Sequence, residues 1–138
     1  MTKRITLAVV VVALVGALGA APADAKKKKV KKFNTDVSIE FSDDLSGGIE
    51  GIFGNLSAKK LPCGSSHPAP RTVTVYNAAT GAVLGTDESD DLGYLVTLSS
   101  GVIPSGSYYA TSEKLKFNVS NKKKIVCKAG TSATITVP

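Results

Sequence analysis

The sequence predicts an all-β fold, a two-layer antiparallel sandwich of about seven strands. Three observations carry the expectation. Beyond Phe33, apolar residues recur with period two, as in D-V-S-I-E-F (Asp36 to Phe41) and R-T-V-T-V-Y (Arg71 to Tyr76). Turn-forming residues return at short intervals, and runs of helix formers are few. Seven or eight short strands between Thr35 and Pro138 need two inner faces covered by alternating apolar side chains, which is the pattern of a sandwich.

Val37, Ile39 and Phe41 form the first expected strand, and S-D-D-L-S-G-G (Ser42 to Gly48) the first turn. Ile52, Gly54 and Leu56 share the next inner face. Ser57 to Arg71 holds three prolines and a glycine, too many missing donors for a central strand, and reads as a long loop. Val73 and Val75 then alternate with Thr72, Thr74 and Tyr76. A turn at Thr80 and Gly81 leads to a short strand through Val83 and Leu84, and a turn at Asp90 to Gly93 to a strand with Tyr94, Val96 and Leu98 on one face. Pro104 to Gly106 turn into a strand through Tyr108. A strand pair is expected around Lys122 to Lys124, holding Phe117 and Ile125, and Ile135 and Val137 close the domain.

Ahead of this domain, residues 1–25 read as an export signal expected to be helical. Lys3 and Arg4 are basic, Ile5 to Ala21 is an apolar run of 17 residues, and Ala23 and Ala25 have the spacing a signal peptidase accepts after Pro22. Cleavage is expected between Ala25 and Lys26, because the run falls short of the roughly 20 residues that cross a bilayer comfortably. The remaining 113 residues suit one domain and carry a net charge of +5. No cysteine follows the apolar run to take a lipid, and no stable membrane insertion is expected after the cut. The expected location is extracellular or at the cell surface.

Residues 26–34 are expected to be a flexible lysine-rich arm. Its Lys26, Lys27, Lys28, Lys29, Lys31 and Lys32 repel one another, stay solvated, and are the candidates for contact with an anionic surface. Lys59 with Lys60 and Lys122 to Lys124 form two further clusters. Phe33 is the one aromatic near the arm, which argues against nucleic acid, whose binders interleave aromatics that stack on bases. An anionic envelope polymer needs only point charges.

Cys63 and Cys127 are the two cysteines, and export to an oxidising compartment argues that they pair. Closing a loop of that length is worth about 4 kcal/mol by chain entropy. A metal or redox pair is disfavoured because neither a C-x-x-C spacing nor a second ligand set is present.

From Arg71 to Ala110 the chain resembles the carboxypeptidase regulatory-like and collagen-adhesin B-type modules, seven-stranded transthyretin-like sandwiches of secreted bacterial proteins within the broader Ig-like class. The shared features are the turn at Thr80 and Gly81, then Asp90 or Asp91 followed by Gly93 and Tyr94, then Gly106 two residues before Tyr108. The resemblance implies a binding, spacing or stalk role and no catalysis. Adhesin relatives often join lysine to asparagine through an isopeptide bond. S-A-T-I-T-V at the end of this chain offers neither asparagine nor aspartate, so the disulfide is expected to do the equivalent job.

Other chemistry has weaker support. His67, the single histidine, lies in a proline-rich loop without a nucleophile-elbow sequence, so a serine–histidine relay is not expected. Asp87, Glu88, Asp90 and Asp91 read as a solvated turn. Calcium, which takes six to eight oxygens, is the weaker alternative for Asp87, Asp90 and Asp91. Sequons at Asn55 and Asn118 are read as chance in a bacterial chain. The sequence thus indicates a secreted, non-enzymatic interaction or structural module without a cofactor, whose partner is an anionic envelope polymer or another surface protein. The alternative is a small-ligand or carbohydrate binder using the loops at one end of the sandwich.

Overall fold

Strand β6 (Thr72–Asn77) organises the molecule. Its valines, Val73 and Val75, are wholly buried while Thr72 and Thr74, which alternate with them, are half-exposed, as expected for β-branched residues on a strand with one buried face. In this computed structural model, which describes residues 27–59, 63–64 and 68–138, β6 lies between β7 (Val83–Glu88) and β9 (Gly106–Ser112), antiparallel to both. β12 (Gly130–Thr131) and β13 (Ile135–Val137) pair in succession with the far side of β9. Tyr76 and Tyr109, opposite each other in the register, stack with ring centroids 5.3 Å apart.

The second layer is a long hairpin broken at its middle. β2 (Asp36–Val37) pairs with β5 (Leu56–Ser57), and β3 (Glu40–Ser42) with β4 (Gly51–Gly54), which in turn pairs with β8 (Tyr94–Val96). Ser38 spans the break, donating its backbone N–H to the Asn55 carbonyl at 2.9 Å while its Oγ accepts from the Asn55 N–H at 2.8 Å. The backbones come so close here that a Cβ on Gly54 would stand 2.1 Å from the Ser38 carbonyl oxygen. Gly93, at φ 108°, closes the turn onto the same place, and a Cβ there would stand 2.0 Å from the Gly54 oxygen.

Ile39, Ile52, Leu56, Tyr94 and Val96 of this layer share one core with Val73, Val75, Tyr108 and Val137 of the first, so the chain is an all-β sandwich. Ile103 and Ala110 join this core although the alternation did not single them out. Phe41, Leu84, Leu98 and Ile135 line it half-buried. Among the described residues thirteen strand segments stand where seven or eight were expected, because the long hairpin of the second layer and the C-terminal strand are broken into short pieces and β1 is added.

A third sheet departs from the expectation. β10 (Leu115–Ser120) and β11 (Lys123–Cys127) form the anticipated hairpin, and β1 (Lys29–Phe33) adds to the other side of β11 in parallel. Most of the segment expected to be a mobile arm is therefore a strand, with Phe33 opposite Cys127 in the register. Phe33, Phe117 and Leu115 pack with Ile125, Cys63 and Cys127 in a second apolar cluster apart from the sandwich core. Lysines suit the strand because it is an edge, where their charge discourages further pairing.

The expected signal peptide with Ala23, Ala25 and Lys26, and also Lys60 and His67, lie outside the described residues.

Candidate functional site

The bridge between Cys63 and Cys127 is closed, with Cα atoms 5.5 Å apart and both residues wholly buried. It ties the loop after β5 to the end of β11. Arg71, which the sequence placed only at the head of a strand, fastens the same region from within. Its side chain is wholly buried; Nη1 donates to Thr35 Oγ1 and Nη2 to the Cys63 carbonyl, both at 2.8 Å. Nη2 also reaches the Gly64 carbonyl at 3.5 Å, while Nε has no partner among the described residues. Burial holds the guanidinium below its ordinary pKa, an effect the nearby Glu113 carboxylate partly offsets. Its backbone exchanges bonds with Ser89, the N–H donating to Ser89 Oγ at 3.0 Å and the carbonyl accepting from the Ser89 N–H at 2.9 Å. A buried arginine at the start of a valine-rich strand leaves no periodic signal, so nothing in the pattern distinguished it from a solvated one.

Around this anchor the structure gathers lysines that lie far apart in sequence. The register sets Val30 beside Lys124 and Asn118, and Lys32 beside Val126 and Lys116. Residues paired across adjacent strands share a face, so Lys32, Lys116 and Lys124 stand together on the outer face of the third sheet. Lys28 extends the patch, its Nζ donating to Asn118 Oδ1 at 3.4 Å. Val126, between Lys32 and Lys116, is only 6% exposed, in keeping with long lysine side chains laying their apolar stems over such a position. None of β1, β10 and β11 carries an acidic residue. Lys29, Lys31 and Lys123 point to the opposite face, so Lys32 shares no face with Lys29 and Lys31.

At the C-terminal end of β1 the surface carries an open polar cleft of about 550 Å³, lined by Lys32, Phe33, Asn34, Asp36, Lys59 and Lys128. Its walls come from three segments held by backbone bonds. Lys128 donates its N–H to the Phe33 carbonyl at 2.9 Å, and Asp36 pairs with Ser57, two residues before Lys59. In the sequence Lys32 and Lys59 belonged to separate clusters and Lys128 to none.

In the acidic turn two of the candidate carboxylates are engaged by backbone amides. Asp87 Oδ2 accepts the Leu95 N–H at 2.8 Å and Asp90 Oδ1 the Leu92 N–H at 2.7 Å, so both carboxylates shape the hairpin. Among the described residues no group of three or more His, Cys, Asp or Glu is placed to hold a metal ion. Beside this turn lies an apolar recess of about 340 Å³, bordered by Leu45, Phe53, Leu92 and Leu95.

Comparison with protein-family models, curated proteins and solved structures gives no match. Among the described residues no helix is long and apolar enough to cross a membrane.

Proposed function

We propose that the chain is a secreted, non-enzymatic β-sandwich that works at or outside the bacterial cell surface as an interaction or structural module, and that its basic N-terminal segment contacts anionic envelope polymers. One observation carries this reading: parallel pairing of β1 with β11 sets Lys28 and Lys32 on the same face as Lys116 and Lys124, on strands without an acid. Such a face attracts polyanions through point charges alone. The disulfide supports an oxidising compartment. The transthyretin-like resemblance of Arg71 to Ala110 is part of the same proposal. That stretch spans β6 to β8 and the start of β9, with Gly93 and Gly106 both at positive φ.

The test is sedimentation of the chain with a purified polyglycerol-phosphate wall polymer. Binding is expected at about 50 mM salt and should fade by about 500 mM, where screening is strong. The triple change Lys28→Gln, Lys116→Gln and Lys124→Gln should weaken it severalfold. Retention unaffected by salt or by the triple change overturns the reading. A second reading, a small-ligand or carbohydrate binder, is favoured by the cleft between Lys32, Lys59 and Lys128, whose volume falls within the roughly 300–1,000 Å³ of small-molecule sites.

A further inference from the structure

The geometry points to the cleft at the end of β1 as a site for one anionic sugar unit, a monosaccharide bearing phosphate or carboxylate. It rests on the second reading above and narrows it to one ligand class, and it bears on the polymer reading too, since such a sugar is the repeating element of many polyanions.

Lys32, Lys59 and Lys128 line the cleft with Asp36 as the one carboxylate among the described lining residues, leaving two positive charges in excess. Like charges brought together by folding repel, and an anion between them removes that repulsion. Small-molecule sites are mostly apolar; a lining this polar suits a ligand rich in charge and hydroxyls. Asn34 can donate to and accept from hydroxyl groups, and Asp36 can accept from them. Phe33 contributes the one aromatic surface, with the rest of its side chain packed on the disulfide cluster. A single ring suits the apolar face of one sugar, whereas a nucleic-acid strand calls for several.

The site is also held in place before any ligand arrives. Lys32 is fixed by the pairing of β1 with β11. Lys128 follows directly on Cys127 and bonds back to Phe33. Lys59 stands between β5 and Cys63, and the buried Arg71 joins Cys63 to Thr35, the residue between Asn34 and Asp36. Backbone pairing thus places the Lys32 and Lys128 segments, and the pairing of Asp36 with Ser57 brings the Lys59 segment beside them, so the backbone there needs little ordering and the cost of binding falls on the lysine side chains.

The experiment is an amide NMR titration of the secreted chain with glucose 6-phosphate, glucuronate, inorganic phosphate and glucose. At least one of the two anionic sugars should saturate with a dissociation constant of about 1 mM or below. Shifts should be confined to residues 32–36, 57–59 and 128, and whichever sugar binds more tightly tells phosphate from carboxylate. Inorganic phosphate should bind roughly tenfold more weakly, and glucose should give no saturable shift. Replacing Lys32, Lys59 and Lys128 by glutamine should weaken binding about tenfold or more, at roughly two- to fivefold per lysine. The changes Lys28→Gln, Lys116→Gln and Lys124→Gln should leave it intact. Failure of both anionic sugars to saturate, equal binding of glucose, equal binding of inorganic phosphate, or an unaffected triple variant each overturns the assignment. Polymer retention without monosaccharide binding removes the cleft and spares the polymer reading. Monosaccharide binding without polymer retention does the reverse.

Discussion

Replacing Arg71 by methionine should destabilise the protein by about 3 kcal/mol. Methionine keeps most of the apolar stem, so the change isolates the guanidinium. Two bonds of 2.8 Å are lost, to Thr35 Oγ1 and to the Cys63 carbonyl, and bonds from a charged donor are worth about 1.5–3 kcal/mol each. Against this stands relief of the burial that depresses the guanidinium pKa, which returns part of the loss. The Cys63 carbonyl is left without its charged donor at a wholly buried residue, which sets the sign. For a domain of this size the melting temperature should fall by roughly 12 °C. Urea unfolding at neutral pH, followed by far-ultraviolet circular dichroism, gives the free energy, and the slope should not change. Arg71→Lys should be nearly as damaging, since an ammonium lacks the planar fork that reaches two acceptors. A loss below about 1 kcal/mol for either variant refutes the argument.

Two further perturbations probe the fold. Converting Cys63 and Cys127 together to alanine should cost about 4 kcal/mol, from opening a loop with a sequence separation of 64, and urea unfolding with the disulfide intact and absent measures it; a difference under about 1 kcal/mol would mean that the bridge constrains little. Tyr94 is buried and its hydroxyl donates to the Ser38 carbonyl at 2.7 Å, so burial raises its pKa above the usual tyrosine value of about 10. The folded state then holds a proton that the unfolded state releases. Its contribution is complete below about pH 10 and is lost as pH rises through the folded pKa. Melting temperatures from pH 8 to 11 should fall more steeply for the wild type than for Tyr94→Phe above about pH 10, and parallel curves would refute the assignment.

What was legible in the sequence follows from how each feature is encoded. Val73, Val75, Tyr94, Val96 and Tyr108 were identifiable because one-sided burial writes a period of two into the chain. The cysteine pair was identifiable because two thiols permit one connectivity. β1 was not, since K-V-K-K-F has the composition of a solvated run, and its pairing depends on β11, some ninety residues away. Phe117 and Ile125 were read correctly as strand positions, but their packing on the disulfide and not in the sandwich core was not legible, because alternation reports a buried face without saying what covers it. Arg71 and the cleft were hidden for a related reason. Both are made of residues drawn together by the disulfide and by long-range pairing, and no local pattern records a meeting of that kind.

The change from arm to strand alters the energetics of the proposed polyanion binding. A mobile arm must be ordered when it grips a polymer, and fixing the backbone costs about 1–2 kcal/mol per residue. Five residues of this segment already lie in β1, so an ordering cost of about 5–10 kcal/mol has been met in folding. The lysines are thereby held at sheet spacing, with neighbouring strands about 4.8 Å apart. Charges rooted on a fixed backbone favour some anion spacings over others within the reach of the lysine stems, whereas a flexible tail adapts to any spacing at similar cost. A polymer whose charges match the interval from Lys32 to Lys116 across β11 should therefore bind more tightly than one of equal charge density and different repeat.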